Sequence, residues 1–412
     1  MKKRILTASI AVVAAVCFTS CGSKTSEIKD LYDSVAEKIE SKFVFSEYNP
    51  DFLFTNGVTP FKSDGSSQMG FVDKNGNYVI EPKFSNAQFF TEDGLARVEQ
   101  NMCWGYINTD GKYVIEPKFG NANDFDENDM ALVFYEGRHG FIDKKGKWVI
   151  ENKYTSIGNF AENGLAKVGA YIGDEHYYGF IDRTGNEVIA PKFGGTGDGY
   201  GCGDFAKCGL AAVYSDGKYG FIDKTGNFVI EPQFMTVSDF GDNGLAFART
   251  SDNKSGYINT SGEFVFTFSE KYVYSGNPFD EHGLAKISMG GRPVIIDEAG
   301  NKVIDKDIDD ISDFDENGIA VVKSGGKYGF IDKTGEFVIE PAYKQAYAFA
   351  NGYARVKLDE GWGFIDDAGN MVVEPAYYRA TDMYADGYSV VIKDSETYDY
   401  AIIDINGNII VD

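Results

Sequence analysis

GFIDKTGNFVIEP, residues Gly220–Pro232, carries the signature of a β-hairpin. Two apolar runs, Phe221–Ile222 and Phe228–Ile230, flank the tetrapeptide Asp223-Lys224-Thr225-Gly226. Aspartate in the first turn position and glycine in the fourth suit a type I turn whose last residue has positive φ, a conformation only glycine accepts cheaply. The punctuating glycine recurs at Gly76, Gly111, Gly146, Gly185, Gly226, Gly262, Gly300, Gly335, Gly369 and Gly407, 34 to 41 residues apart. Three residues before each stands Asp or Asn: Asp73, Asn108, Asp143, Asp182, Asp223, Asn259, Asp297, Asp332, Asp366 and Asp404. Such side chains accept hydrogen bonds from nearby amides, so these ten are read as turn-makers and not as catalysts. Self-similarity at this period means one supersecondary unit stacked on itself.

Working outward from the hairpin, a first strand of the type Gly-Leu-Ala-x-Val precedes it, as at Gly94–Val98, Gly164–Val168 and Gly209–Val213. A proline follows (Pro82, Pro117, Pro191, Pro232, Pro341, Pro375) and is expected to stop the strand ladder. Two residues on comes an aromatic: Phe84, Phe119, Tyr154, Phe193, Phe234, Tyr343 or Tyr377. Adjacent apolar residues such as Val229 and Ile230 point to opposite faces, so each small sheet is expected to be covered on both sides by its neighbours. Aromatics at repeat-fixed positions are then inter-blade packing. The fold class read from this pattern is all-β: about ten three-stranded antiparallel meanders, propeller-like blades, filling residues 52–412 from a first strand near Gly57–Phe61. Closed propellers typically have four to eight blades, so ten units point to an open superhelix or two five-unit arrays. Weak copies around Asn259 and Asp297, which lack the proline and the following aromatic, suggest a seam within 236–310.

MCWGYINTDGKYVIEPKF (102–119) and EGWGFIDDAGNMVVEPAY (360–377) resemble the WG (KWG) repeat family of bacterial proteins. The resemblance spans roughly 52–412 and rests on Trp-Gly, the Asp/Asn-x-x-Gly turn and the Val-Ile-x-Pro end. At the position before the motif glycine, tryptophan stands only at Trp104 and Trp362; Tyr178, Tyr219, Tyr328, Tyr400 or His139 replaces it elsewhere, which suggests a need for a bulky cap. The family implies a repeat scaffold and offers no catalytic residue to carry over.

The leader gives an address. Lys2, Lys3 and Arg4 precede a 14-residue apolar run, Ile5–Phe18, too short to span a bilayer comfortably. Residues 1–20 are read as a signal peptide. Cys21 follows the small residue Ser20 and resembles the lipidated cysteine of a bacterial lipobox, although Phe18 departs from the usual leucine. Residues 21–51 are read as a lipidated tether with a short amphipathic helix over 26–45. The implied location is the cell envelope, lipid-anchored to the membrane, periplasmic or surface-exposed. The formal net charge is −24, and removing the three leader cations makes it −27. So acidic a chain repels phosphate backbones, which argues against nucleic acid.

A search for chemistry returns little. Of the remaining cysteines, Cys103, Cys202 and Cys208, the last two lie close together and are the candidate disulfide in an oxidising compartment. Asp313–Gly318 begins like a calcium loop but has Ser324 where the bidentate acid belongs, so no metal or cofactor is expected. The glycine-rich Gly194–Gly203 fits no phosphate-binding fingerprint. Long steps between repeats insert Tyr171–Tyr178 and Gly194–Cys208, and solenoid insertions often mark a binding face. Tyr171, His176, Tyr177 and Tyr200 are therefore the candidate contact surface. The sequence reads as a non-enzymatic, membrane-anchored binding or scaffold lipoprotein for protein partners, with surface glycan or peptidoglycan binding as the alternative.

Overall fold

The computed structural model describes residues 53–62, 67–194, 201–269, 272–395 and 399–411. The signal segment, Cys21 and the expected helix over 26–45 lie outside them. Residues 50–412 form one unit, separate from 1–49. Ten antiparallel sheets follow one another in chain order, each a meander. Blade 1 is Val58–Phe61, Met69–Asp73 and Tyr78–Phe84; blade 2 is Asn86–Phe90, Leu95–Gln100, Cys103–Asn108 and Tyr113–Phe119. Blades 3 to 10 occupy 121–154, 156–194, 211–234, 236–267, 273–304, 310–343, 345–377 and 379–411.

The three-stranded unit needs correction. Every described sheet except blades 1 and 5 has four strands, the extra one lying ahead of the Gly-Leu-Ala strand. That strand is often two residues long, as at Asn121–Ala122, Gln345–Ala346 and Arg379–Ala380. So short a segment shows no alternation, and the sequence therefore reads as turn.

The hairpin turn is as its chemistry requires. Gly226 has φ +83° and its amide donates to the Asp223 carbonyl at 2.9 Å. Asp223 Oδ1 accepts the amides of Thr225 at 2.8 Å and Asn227 at 3.1 Å. At Asp182 the Thr184 hydroxyl and the Thr184 and Asn186 amides hold the carboxyl down to about 2, so the turn carboxylate stays ionised at neutral pH.

The proline does not end the strand. The ladder slips there instead, with Trp104 facing Phe119 and Tyr106 facing Ile115, and the outer strand runs on to the aromatic. This bulge explains the glycine after the aromatic cap. A Cβ on Gly105 would lie 2.5 Å from the Ile115 carbonyl oxygen and 2.6 Å from Pro117 N. Gly70, Gly140, Gly179, Gly220, Gly329 and Gly363 face the same obstruction. In blades 7 and 10 the last strands, Lys302–Ile304 and Ile409–Val411, stop short of the bulge. There Val294 and Ala401 occupy the glycine position, by the pairings Ile295–Ile304 and Ile402–Val411.

Neighbouring blades share their cores, as the apolar pattern requires. Phe71, Ile80 and Phe84 of blade 1 pack with Ala87, Phe90, Val98 and Ile107 of blade 2, and such mixed clusters recur along the chain. The repeat aromatics are inter-blade contacts: Phe84 meets Tyr113 and Phe119 meets Trp148, edge to face. Burial on the last strand is one-sided, however. Ile230 is 2% exposed and Val229 48%, and Val79, Val114, Val149, Val188 and Val338 are likewise open. First strands of neighbouring blades touch, as Thr236–Val237 does Val273–Gly276, whereas the outward valines of the last strands stay open to solvent.

The array closes into a ring, a ten-bladed β-propeller, and is neither an open superhelix nor two arrays. In each blade the turn glycine lies over an apolar side chain of the blade before: Gly111 over Ile80, Gly146 over Ile115, and so on to Gly407 over Val373. Gly76 of blade 1 makes the same contact with Val411 of blade 10. Closure is reinforced where Asp386 accepts the amides of Leu53 at 3.1 Å and Phe54 at 3.2 Å, and where Phe54 packs on Tyr388 at 5.4 Å between centroids. The weak copies make no seam. They are blades 6 and 7, where Gly262 lies over Ile230 and Gly300 over Phe266 as elsewhere.

Candidate functional site

Blades 4 to 6 break the regularity of the ring. The central hairpin of blade 4, Leu165–Ile172 and Glu175–Asp182, has eight-residue strands where other blades have four to six. Its tip carries Tyr171 at 61% exposure and Ile172 at 55%. The Tyr171 ring stands on His176 at 5.1 Å between centroids, and His176 on Tyr178 at 4.8 Å. Thr155 Oγ1 holds His176 Nε2 at 2.6 Å, and Gly169 makes room for the imidazole, since a Cβ there would lie 2.6 Å from Cε1.

Of the four residues expected to form a contact surface, Tyr171 and His176 are thus brought together. Tyr177 alternates to the other face of the strand, its hydroxyl bonded to Glu175. Tyr200 lies outside the described residues. Tyr178, adjacent to Tyr177, is the phenol that continues inward.

Inward of Tyr178 is a cleft of about 650 Å³. Its walls include Lys167 and Tyr178 of blade 4, Ala212 and Tyr219 of blade 5, and Val237 and Asp239 at the start of blade 6. Gly201–Gly203 stand where other blades have their first strand, with Cys202 bridged to Val213. The glycine content follows from close approach. A Cβ on Gly203 would lie 2.0 Å from Asp239 Oδ1, and one on Gly201 would lie 3.4 Å from the Tyr178 ring. Asp239 is open to the cleft yet surrounded by protein; burial, and then the nearby Asp204 carboxylate, push its carboxyl above the usual range, while Lys167 opposes the shift.

The candidate disulfide is not formed. Cys202 is buried in the bridge to Val213, whereas Cys208 is exposed at the Ala206–Gly209 turn. A disulfide needs Cβ atoms about 3.8 Å apart, and both thiols are free, one in the bridge and the other within the turn. Burial pushes the Cys202 thiol up, away from the reactive thiolate. Brief iodoacetamide treatment of the native protein should therefore label Cys208 and spare Cys202, with both labelled after denaturation. A Cys202–Cys208 linked peptide found by mass spectrometry would contradict this.

The same register carries a recurring inter-blade clamp that sequence reading missed. Arg97 reaches into blade 3, its Nη1 donating to the Ala122 carbonyl at 2.7 Å and its Nε to Asp124 at 2.6 Å. Arg355 does the same to Ala380 O at 2.6 Å and Asp382 at 2.5 Å. Lys167 donates to Cys202 O at 2.8 Å with Asp204 at 3.4 Å, and Lys286 to Ile311 O at 2.9 Å. The partners are about 25 to 35 residues apart in the chain, so only the aligned repeats reveal them. Among the described residues no group of three or more His, Cys, Asp or Glu could hold a metal ion.

The family model for the WG containing repeat matches residues 69–101, 104–138, 140–169, 178–219, 219–254, 295–328, 328–361 and 362–396. No curated protein sequence matches the chain. Among solved structures, a eukaryotic initiation factor is similar at 12% identity and a TM-score of 0.53, covering 77% of this chain and 94% of that one. BamB from Moraxella catarrhalis is 12% identical with a TM-score of 0.31, over 65% of this chain and 97% of its own. Sqt1 of Saccharomyces cerevisiae is 10% identical with a TM-score of 0.37, over 68% and 93%. The first of these bears on the fold alone.

Proposed function

The chain belongs to the WG containing repeat family, and from that premise we propose that it is a non-enzymatic binding propeller, held at the membrane of the cell envelope by a lipid on Cys21, which engages protein partners through blades 4 to 6. One observation carries the reading: the elongated blade 4 hairpin lifts Tyr171 and Ile172, 61% and 55% exposed, beside a cleft of about 650 Å³. Regular blades end in two-residue turns such as Asp216-Gly217; blade 2 sets one apolar side chain, Met102, in that turn, whereas blade 4 extends both strands and presents an aromatic and an aliphatic side by side. Exposed aromatic and aliphatic anchors next to a concave polar site are the ordinary anatomy of a protein-binding hot spot. The anchoring half of the proposal draws on the leader: a basic start, a short apolar run and Cys21 after a small residue. Among the described residues no helix is long and apolar enough to cross a membrane.

Crosslinking in intact cells followed by purification of the full-length protein tests the binding reading. A defined protein recovered with the wild type and lost with Tyr171→Ser/Ile172→Ser supports it. Retention on purified peptidoglycan, abolished by the same substitutions, would instead favour the glycan reading, in which the Tyr171 ring stacks on sugar. For the anchor, Cys21→Ser should move the protein from the membrane fraction to the soluble fraction.

A further inference from the structure

The clamp exposes a missing partner. Aligned by strand register, the acidic position two residues past the clamp carbonyl is Asp124, Asp204, Asp239, Asp313 and Asp382 (pairings Ala122–Val133, Cys202–Val213, Val237–Ala248, Ile311–Val322 and Ala380–Val391). The facing position in the preceding blade is Arg97, Lys167, Ala212, Lys286 and Arg355 respectively. Asp124, Asp204 and Asp382 pair with their cation, and Lys286 reaches the Ile311 carbonyl two residues ahead of Asp313. Asp239 meets alanine. Both Ala212 and Asp239 line the cleft, so the space a long basic side chain would fill at this junction is open. Among the described residues nothing hydrogen-bonds to the Asp239 carboxyl. The nearest cation, Lys167, already donates to the Cys202 carbonyl and faces Asp204.

We propose that the cleft between blades 5 and 6 binds a ligand guanidinium or ammonium, which takes at Asp239 the place that Arg97, Lys167, Lys286 and Arg355 fill at the other acidic junctions. This rests on reading blades 4 to 6 as the binding sector. The Asp239 carboxylate supplies the charge-assisted hydrogen bonds, in the way Asp124 and Asp382 do for arginine. The Tyr178 and Tyr219 rings in the same wall favour a cation over their faces. A net charge of −24 draws cations toward the protein. The groups facing Asp239 are Asp204, which raises its carboxyl together with burial, and Lys167, which lowers it. Protonated Asp239 has no charge to offer, so binding weakens as pH falls through its raised titration.

Titration calorimetry on the full-length protein tests this with methylguanidinium, butylammonium, the peptide acetyl-Gly-Arg-Gly-amide and calcium chloride as probes. Saturable binding of an organic cation should drop about tenfold or more in Asp239→Asn, or roughly 1.4 kcal/mol. Ala212→Arg supplies the missing cation from within the chain and should abolish binding while raising the thermal midpoint. A peptide that binds more tightly than methylguanidinium identifies a partner's side chain as the source; equal affinities identify a free cation. Unchanged affinity in Asp239→Asn, binding of calcium alone, or no binding of any probe overturns the inference. Partner capture that survives Asp239→Asn excludes the partner's side chain as the source of the cation and leaves the scaffold reading standing. Cation binding that depends on Asp239, in a protein whose partner capture is unaffected by Tyr171→Ser/Ile172→Ser, has the converse meaning: the cation site stands and the hairpin reading falls.

Discussion

Gly105→Ala lowers the stability of the propeller by about 3 kcal/mol or more, among the larger effects a single methyl group can have. The obstruction is entirely backbone: Ile115 O at 2.5 Å, Pro117 N at 2.6 Å and the Glu116 carbonyl carbon at 2.9 Å from the added Cβ. No side chain can rotate away, so the two strands must separate at the bulge. Separation breaks the pairing of Trp104 with Phe119, and Phe119 is fully buried against Tyr135 and Trp148 of blade 3. Denaturant unfolding of the variant beside the wild type checks the expectation. Blade 10 supplies the internal control. Ala401 occupies the glycine position there, so a Cβ is already accommodated, and Ala401→Gly should change stability by no more than about 1 kcal/mol. A Gly105→Ala protein within about 0.5 kcal/mol of wild type would remove the steric account of the Trp-Gly dipeptide.

Val411→Asp has a comparable effect for a different reason, and it separates a ring from an open array. In the closed propeller Val411 is 5% exposed and is covered by Gly76 of blade 1. An aspartate there is buried with no cation beside it and should destabilise by about 3 kcal/mol or more, or take up a proton instead. In an open superhelix the outer face of the tenth unit would meet water, and the same change would be nearly silent. Val229→Asp, at a position 48% exposed on the rim, is the matched control and should be close to neutral. A Val411→Asp protein that melts with the wild type would mean that blades 1 and 10 do not meet.

The hairpins were legible because they are local. Asp223 and Gly226 meet through hydrogen bonds spanning two to four residues, and that chemistry is visible in any single copy. Inter-blade packing was legible too, since Phe84, Phe119 and Phe234 recur at a fixed offset from the turn. The fourth strand was not. Asn121–Ala122 is too short to carry a period, and its pairing with Val133 and Phe134 is fixed by the blade behind it. An apolar dipeptide such as Val229-Ile230 reads the same whether one face or both are covered, and in the propeller only the Ile230 face is. The candidate site was half legible. Insertion length pointed to Tyr171 and His176, while the cleft, Tyr178 and the unmatched Asp239 emerge only when blades are aligned by register.

By itself the sequence determined the repeated hairpin, the number of units and their turns, because a hairpin is specified by the dihedral preferences of a few neighbouring residues. Tertiary structure alone decided that ten units close. Closure depends on the rotation between successive blades, a small angle set by side-chain volumes at each interface and accumulated around the whole ring. No single copy records that sum, and Gly76 finds Val411 only once all ten interfaces have formed.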